Sequence, residues 1–488
     1  MKRNFTASNW RLDSWVILAV AALATSVFYL LVCALNFGLG FPLDDSWIHL
    51  TYARNLAEHG EWAFRLGERS AGSTSPLWTA LLSIGFLLNL APYAWTYLLG
   101  WAVLTMLSVY AEDLARKLVP TYKSKIPWAG LFFVFAWHLT WSAVSGMETL
   151  LHALIILAVL GALMSGSRRY LMLGLLTGLS VWVRPDGMTL LGPLLFVALM
   201  TEKTWHLRSE AVWKILIGFG SLVLPYVLFN LALSGNAMPN TFYAKQAEYG
   251  LFWQSTPFLE RLGDYLAPIL ASPFLALIPG AFMWLIKRVR TLDWSVLASL
   301  LWVVGYFLIY FVSLPAYQHG RYIIPAFPVL YLWGILGFLE FVFSAEASKR
   351  IVFLWQVVTI ALGLAFTYIG ARQNASDVFW VESEMVATAR WVKENVPPDA
   401  RLAVHDIGAL GFYVQNPIVD MAGLITPDVV PIIRDETQLE EYLSSNSVDY
   451  LITFPGFYPQ LTSERELVFK AGSEFSSLGE NMGVYRWK

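Results

Sequence analysis

FPLDDSWIHLTYARNLAEHG, residues 41–60, follows on the apolar run 14–38 and sets two adjacent carboxylates, Asp44 and Asp45, just beyond its end. Ile48, Tyr52 and Leu56 recur at every fourth position, with Arg54 and Glu58 elsewhere, so the spacing predicts a helix over about 46–58 with Asp44 or Asp45 as its N-cap. A cap needs one carboxylate and here there are two. An unneeded charge beside hydrocarbon is costly, so the second acid asks for a function. Such a helix lies amphipathically along a membrane interface, and Gly60, Gly67 and AGSTSP (71–76) mark the turns that follow it.

The rest of the chain supports a membrane setting. Of 488 residues, 57% are hydrophobic and only 14% charged, about half the charged share of a soluble domain. The net charge of -2 gives no basic field for nucleic acid, and the single cysteine, Cys33, excludes an intrachain disulfide. Lys2, Arg3 and Arg11 precede the first apolar run, which is too long for a signal-peptide core and reads as an uncleaved first span. Residues 371–488 are charged and punctuated by Pro and Gly, with no run able to cross a bilayer, and read as a soluble domain.

Apolar runs are bracketed at 14–38, 76–90, 93–115, 127–144, 150–165, 170–183, 187–200, 214–233, 266–286, 294–313, 322–343 and 351–370. If all span, no orientation satisfies the positive-inside rule. If the short run 76–90, with Pro76 near its start, lies in the interface, eleven spans remain. The basic clusters at 116–125, 168–169, 203–214, 287–290 and 349–350 then fall inside with the N-terminus. The same assignment collects DDSW (44–47), SGMET (145–149), RPDG (184–187), PNTFYAK (239–245), QHGRY (318–322) and the C-terminal domain on the outer face.

In this order, and with GERSAGSTSPLW, HDIGALGFY and VDMAGL, these motifs resemble the GT-C superfamily of membrane glycosyltransferases, and within it the terminal arabinofuranosyltransferases of bacterial cell-wall polysaccharide. The resemblance implies a polytopic α-helical protein of the bacterial plasma membrane: a catalytic domain, 1–370, whose first outer loop, 39–92, carries interfacial helices, and a small extracytoplasmic α/β domain, 371–488. It implies polyprenyl-phosphate sugar donors and a glycan, lipid or protein acceptor, with Asp44, the first-loop acid, as catalytic base. EWAFRLGE after Gly60 and the SAGSTS run depart from the arabinofuranosyl pattern, which leaves the sugar open.

The chemistry asks for residues of these types. Transfer from a lipid phosphate needs a carboxylate at the acceptor hydroxyl and positive charge at the leaving phosphate. Asp45 and Glu148 join Asp44 as candidate catalytic acids. The three suit Mg²⁺ or Ca²⁺ as well as metal-free catalysis, and both stay open. Lys245 and Arg321 are candidates for the phosphate, Arg for bidentate contact and Lys as a point charge, with His319 and Tyr322 beside them. Lys245 has a competing role as an interfacial anchor. Arg184 and Asp186 flank the proline of RPDG and are expected to bridge across that turn, with Arg184 a second candidate for the acceptor cleft. His405 and Asp406 read either as a strand-end pair or as part of that cleft.

In the C-terminal segment, 385–396 and 438–446 read as helices, and 401–413, 417–423, DYLITF, ELVFKAG and GVYRW contain strands. The glycine pair in HDIGALG alone is a weak phosphate signal. Two other classes stay open. A secondary transporter would favour broken helices and duplicated halves, and the sequence shows no such duplication. A non-catalytic scaffold would use the outer domain to bind glycan or protein and would be indifferent to Asp44→Asn.

Overall fold

The computed structural model describes residues 7–472 and 480–487. Helices dominate: α1 (Ala7–Asn36), α2 (Asp45–His59), α3 (Pro76–Leu87), α4 (Pro92–Leu118), α5 (Trp128–Phe135), α6 (Trp137–Val144), α7 (Thr149–Met164), α8 (Tyr170–Val183), α9 (Leu191–Thr201), α10 (Trp205–Ser234), α11 (Asn240–Ser255), α12 (Phe258–Leu270), α13 (Ile278–Arg290), α14 (Trp294–Ser313), the single turn α15 (Tyr317–Gly320), α16 (Phe327–Val342) and α17 (Lys349–Val381). A small hairpin, β1 (Ala63–Arg65) with β2 (Glu68–Arg69), follows α2 and turns at Gly67.

About eleven spans are expected from the sequence, and the helices on which they fall differ in length. Among the described residues six are long and apolar enough to cross a membrane: Asp13–Asn36, Pro92–Leu118, Trp205–Ser234, Trp294–Ser313, Tyr317–Val342 and Lys349–Asn395. A seventh forms if α12 and α13, bent by 82°, count as one. Of the other four expected spans, 150–165, 170–183 and 187–200 fall on shorter helices, and 127–144 breaks at Ala136 into α5 and α6. The physical reason is burial. The 16 residues of α7 rise about 24 Å, less than a hydrocarbon core of about 30 Å, but most of them are sealed among neighbouring helices and need not reach both interfaces. The 12 residues of α3, opened by Pro76 at its first position, rise about 18 Å, too short to span.

The chain passes 370/371 inside α17, which continues through a π-helical turn at Glu382–Val386 into α18 (Ala387–Asn395). Beyond it, β3 (Leu402–Val404), α19 (Ile407–Tyr413), β4 (Ile418–Asp420), α20 (Glu436–Ser445), β5 (Tyr450–Thr453), α21 (Pro459–Ser463), β6 (Leu467–Lys470) and β7 (Gly483–Arg486) build a mixed sheet of order β4-β3-β5-β7-β6. Strands β4, β3 and β5 are parallel, and β7 runs antiparallel to β5 and β6. On one face Ala403, Leu451 and Tyr485 pack with Leu439 and Leu443 of α20. On the other, Leu402, Val404 and Ile452 share a core with Trp47, Leu50 and Tyr52 of α2 and Trp78 of α3. The first loop is therefore clamped between the helical bundle and the sheet, and this sandwich positions the site.

Candidate active site

The start of α2 is fixed from three sides. Ser46 Oγ donates to Ser145 O (2.7 Å) and Trp78 Nε1 to Gly146 O (2.8 Å), tying the SGMET loop to the first loop. Gly146 holds φ 81, and a Cβ there would press on Phe41 and Ser46. The C-terminal unit contributes the third side. Both oxygens of Asp44 accept backbone N–H groups at the start of α19, from Gly408 (2.7 Å) and Ala409 (2.8 Å). Asp44 is thus a cap, but for α19 rather than α2, on which its side chain makes no capping bond. Burial and the neighbouring Asp406 carboxylate push its carboxyl up to about 7 against the pull of the two amides.

Asp45 faces the other way. Its Oδ2 accepts from Arg321 Nη2 at 2.8 Å and lies 3.5 Å from Lys245 Nζ. Burial raises its carboxyl, but Lys245 and Arg321 outweigh that and hold it well below the usual range. Asp45 and Lys245 line a small pocket with His49, Thr74 and Thr241. Lys245 arrives on α11, whose first residue docks on the first loop through Asn240 N–H to Ala71 O (3.1 Å).

Arg321 arrives on the turn after α14, where Gln318 and His319 take positive φ (48° and 61°), a strained conformation for side-chain-bearing residues. That turn separates two residues expected to act together. Arg321 points to Asp45, while His319 Nε2 meets Asp377 Oδ2 of α17 at 2.8 Å, and Trp141 and Gln373 donate to the same carboxylate. His319 thus anchors the turn to α17 and stands apart from the cations. Tyr322 stays with them: Arg321 donates to its hydroxyl (3.1 Å), and Arg321, Lys245 and Arg184 lie 5.0, 5.5 and 5.8 Å from its ring centre.

Glu148 and Arg184 form a second, deeper layer. Arg184 donates to Glu148 (3.0 Å) and to Asp186 across the RPDG turn (3.2 Å), while Tyr306 and Tyr310 both donate to Asp186 Oδ2 (2.6 Å each). His49, one turn beyond Asp45 on α2, sets Nε2 3.3 Å from Glu148 and Nδ1 3.2 Å from the hydroxyls of Ser73 and Thr79. Burial raises the Glu148 carboxyl, but His49 and Arg184 bring it down to about 2.

In the C-terminal unit, His405 lies 3.3 Å from Glu248 of α11 and 2.9 Å from the Tyr458 hydroxyl. Burial opposes its charge, yet Tyr458, Glu248 and Asp406 together raise its pKa. Asp406 is half-buried and adjoins Asp44 as well as His405, and its Oδ2 has no hydrogen-bond partner.

The carboxylates considered for a metal do not gather. Asp44 is engaged by backbone amides, Asp45 by two cations and Glu148 by Arg184 and His49. Among the described residues no group of three His, Cys, Asp or Glu could hold a metal ion. The residues do not fit a divalent cation shared by Asp44, Asp45 and Glu148. Sequence reasoning passed over His49, Asp377 and Glu248. The signal for His49 was present, four residues after Asp45 on one helix face; Asp377 and Glu248 lie on helices whose facing the sequence pattern did not fix.

Comparison with known proteins agrees with this architecture. The family described as Domain of unknown function (DUF8728) matches residues 373–485. A terminal beta-(1->2)-arabinofuranosyltransferase of Mycobacterium tuberculosis is 30% identical over 227 residues, 42% of this chain and 35% of the relative, so the match spans about a third of that protein. ArnT from Cupriavidus metallidurans bound to undecaprenyl phosphate superposes with a TM-score of 0.62 at 14% identity over 97% of this chain and 98% of its own. The Archaeoglobus fulgidus oligosaccharyltransferase superposes at 0.64 and 13% identity over 93% and 70%. The chain is a membrane protein with the fold of the GT-C glycosyltransferases, similar over part of its sequence to a terminal arabinofuranosyltransferase.

Proposed function

We propose that this chain is an inverting glycosyltransferase that moves a sugar from a polyprenyl-phosphate donor to a hydroxyl of a glycan, lipid or protein acceptor at the extracytoplasmic face. One observation carries the reading: a carboxylate, Asp45, and two cations, Arg321 and Lys245, meet beside one pocket. The likeness to a protein bound to undecaprenyl phosphate favours the same donor chemistry, and the positive-inside reading of the loops favours the outer face.

The assignment of the base moves from Asp44 to Asp45, because Asp44 spends both oxygens on α19 while Asp45 lines the pocket. In this scheme the Asp45 carboxylate takes the acceptor's hydroxyl proton as that oxygen bonds to the anomeric carbon. The bond from that carbon to the phosphate oxygen breaks on the opposite face, and the departing phosphate dianion is held by Arg321 and Lys245. Asp44 positions its neighbour.

The test is transfer of labelled sugar from decaprenyl-phospho-arabinofuranose and from polyprenyl-phospho-mannose and glucose to membrane and polysaccharide acceptors. Asp45→Asn should lower turnover by about 10²- to 10⁴-fold while the protein stays folded. Undiminished turnover in the variant sinks the base assignment. Absence of transfer from every donor, with glycan still bound, returns the reading to a scaffold.

A further inference from the structure

The charges around Tyr322 balance. Arg184, Lys245 and Arg321 supply three positive groups, and Glu148, Asp186 and Asp45 are the three carboxylates that pair with them. Glu248, the next acid on α11, has its own partner in His405. A phosphate entering this site therefore meets no uncommitted cation among these groups, and must take one from a carboxylate. The three carboxylates do not hold theirs equally. The Glu148 side chain is 1% exposed, and Asp186 accepts from two tyrosines besides Arg184. Asp45 is 29% exposed and Lys245 22%, so solvent screens this pair most and its separation strands no charge in a dry site.

We infer that Asp45 and the phosphate of a polyprenyl phosphate compete for Arg321 and Lys245, and that the lipid binds by displacing the carboxylate from them. The inference rests on the reading of the site as a phosphate-binding transferase centre, and adds to it a contact that couples the two halves of the reaction. While paired, Asp45 is a poor base, since two cations stabilise its charge. Once the phosphate takes those cations, the carboxylate regains proton affinity beside the acceptor hydroxyl. Activation thus follows donor binding, and an acceptor or water arriving first meets a masked base. No bond is made or broken in this step; a carboxylate and a phosphate exchange partners.

The exchange makes affinity the readout, without turnover. Undecaprenyl phosphate is titrated into detergent-solubilised full-length protein, wild type and Asp45→Asn, with binding followed by native mass spectrometry or thermophoresis. If Asp45 competes for the site, removing its charge should tighten binding at least 10-fold, while Arg321→Gln weakens it. Equal or weaker binding by Asp45→Asn, with wild type binding normally, overturns the exchange and leaves the transferase reading intact. No binding by either protein fails both. A second measurement needs no variant: carbodiimide labelling of Asp45 in wild type, read by peptide mass spectrometry, should rise several-fold when undecaprenyl phosphate is added. Unchanged or reduced labelling overturns the inference even if Asp45→Asn does not fold.

Discussion

Two ion-pair layers share one end of the helical bundle and one tyrosine between them, yet they differ in how they are closed. In the deeper layer Arg184 is gripped by Glu148 and Asp186, and Asp186 also accepts from Tyr306 and Tyr310. In the outer layer Arg321 and Lys245 share the single carboxylate of Asp45, at a pocket wall. Both layers use the same residue types. What separates them is how partners are shared: in the deep layer one guanidinium is held by two carboxylates, one of which also accepts from two tyrosines, while in the outer one a single carboxylate is shared by two cations, so an entering anion competes with only one acid.

Equivalent substitutions in the two layers should therefore fail in different ways. Arg184→Leu leaves Glu148 and Asp186 buried without their cation and should cost about 3–5 kcal/mol, seen as a large drop in thermal unfolding temperature or as loss of folded protein. Arg321→Gln should leave unfolding nearly unchanged while turnover falls by about 10²- to 10³-fold, the cost of losing one charge at a developing oxyanion. If the two variants lose stability equally, the layers are one structural network and the division between them is wrong.

A smaller effect is expected where the sheet unit meets the first loop. An added Cβ at Gly408 would sit 2.1 Å from the Asp44 carbonyl oxygen and 2.6 Å from Asp44 Oδ2. Gly408→Ala should therefore cost about 1–3 kcal/mol as overpacking, and should lower turnover because Asp45 is the next residue along the displaced backbone. Gly411→Ala, whose Cβ would press only on the Phe64 ring, serves as the comparison: equal losses of turnover per unit of stability from both would show that the Asp44 contact has no special hold on the site.

Much of this was legible before any coordinates. Hydropathy located the bundle, and the polar loop motifs do converge: Asp45, Glu148, Arg184, Lys245 and Arg321 lie within two ion-pair layers. In the last hundred residues the expected strands and the helices α18 and α20 fall where the pattern put them, because alternating and fourfold spacings are local signals, but they do not show the short helices α19 and α21. Direction was not legible. Asp44 and Asp45 are neighbours in sequence and diverge because one reaches α19 and the other α11 and the 317–322 turn, contacts more than 190 residues away. His319 and Arg321 diverge through three successive positive φ angles, at Gln318, His319 and Gly320, of which residue type announces only the glycine's. Span number is hard to read for a related reason, since helices sealed inside a bundle are released from the length that lipid demands and so do not declare themselves by length.

The smallest effect expected comes from His405, which joins the sheet unit to α11 through Glu248. Its pKa in the folded protein is raised above the ordinary value of about 6.5. A histidine raised in this way stabilises the fold fully below the unfolded pKa and loses that contribution as pH climbs through the folded one. The stability difference between wild type and His405→Gln should therefore be largest near pH 6 and should shrink steadily toward pH 9, as read by thermal unfolding in one detergent across a pH series. Because Lys245 lies three residues before Glu248 on α11, the same series run with undecaprenyl phosphate present asks whether this pair steadies the outer cation layer. A difference that stays flat with pH would mean that His405 is neutral in the folded protein and holds Glu248 by a hydrogen bond alone.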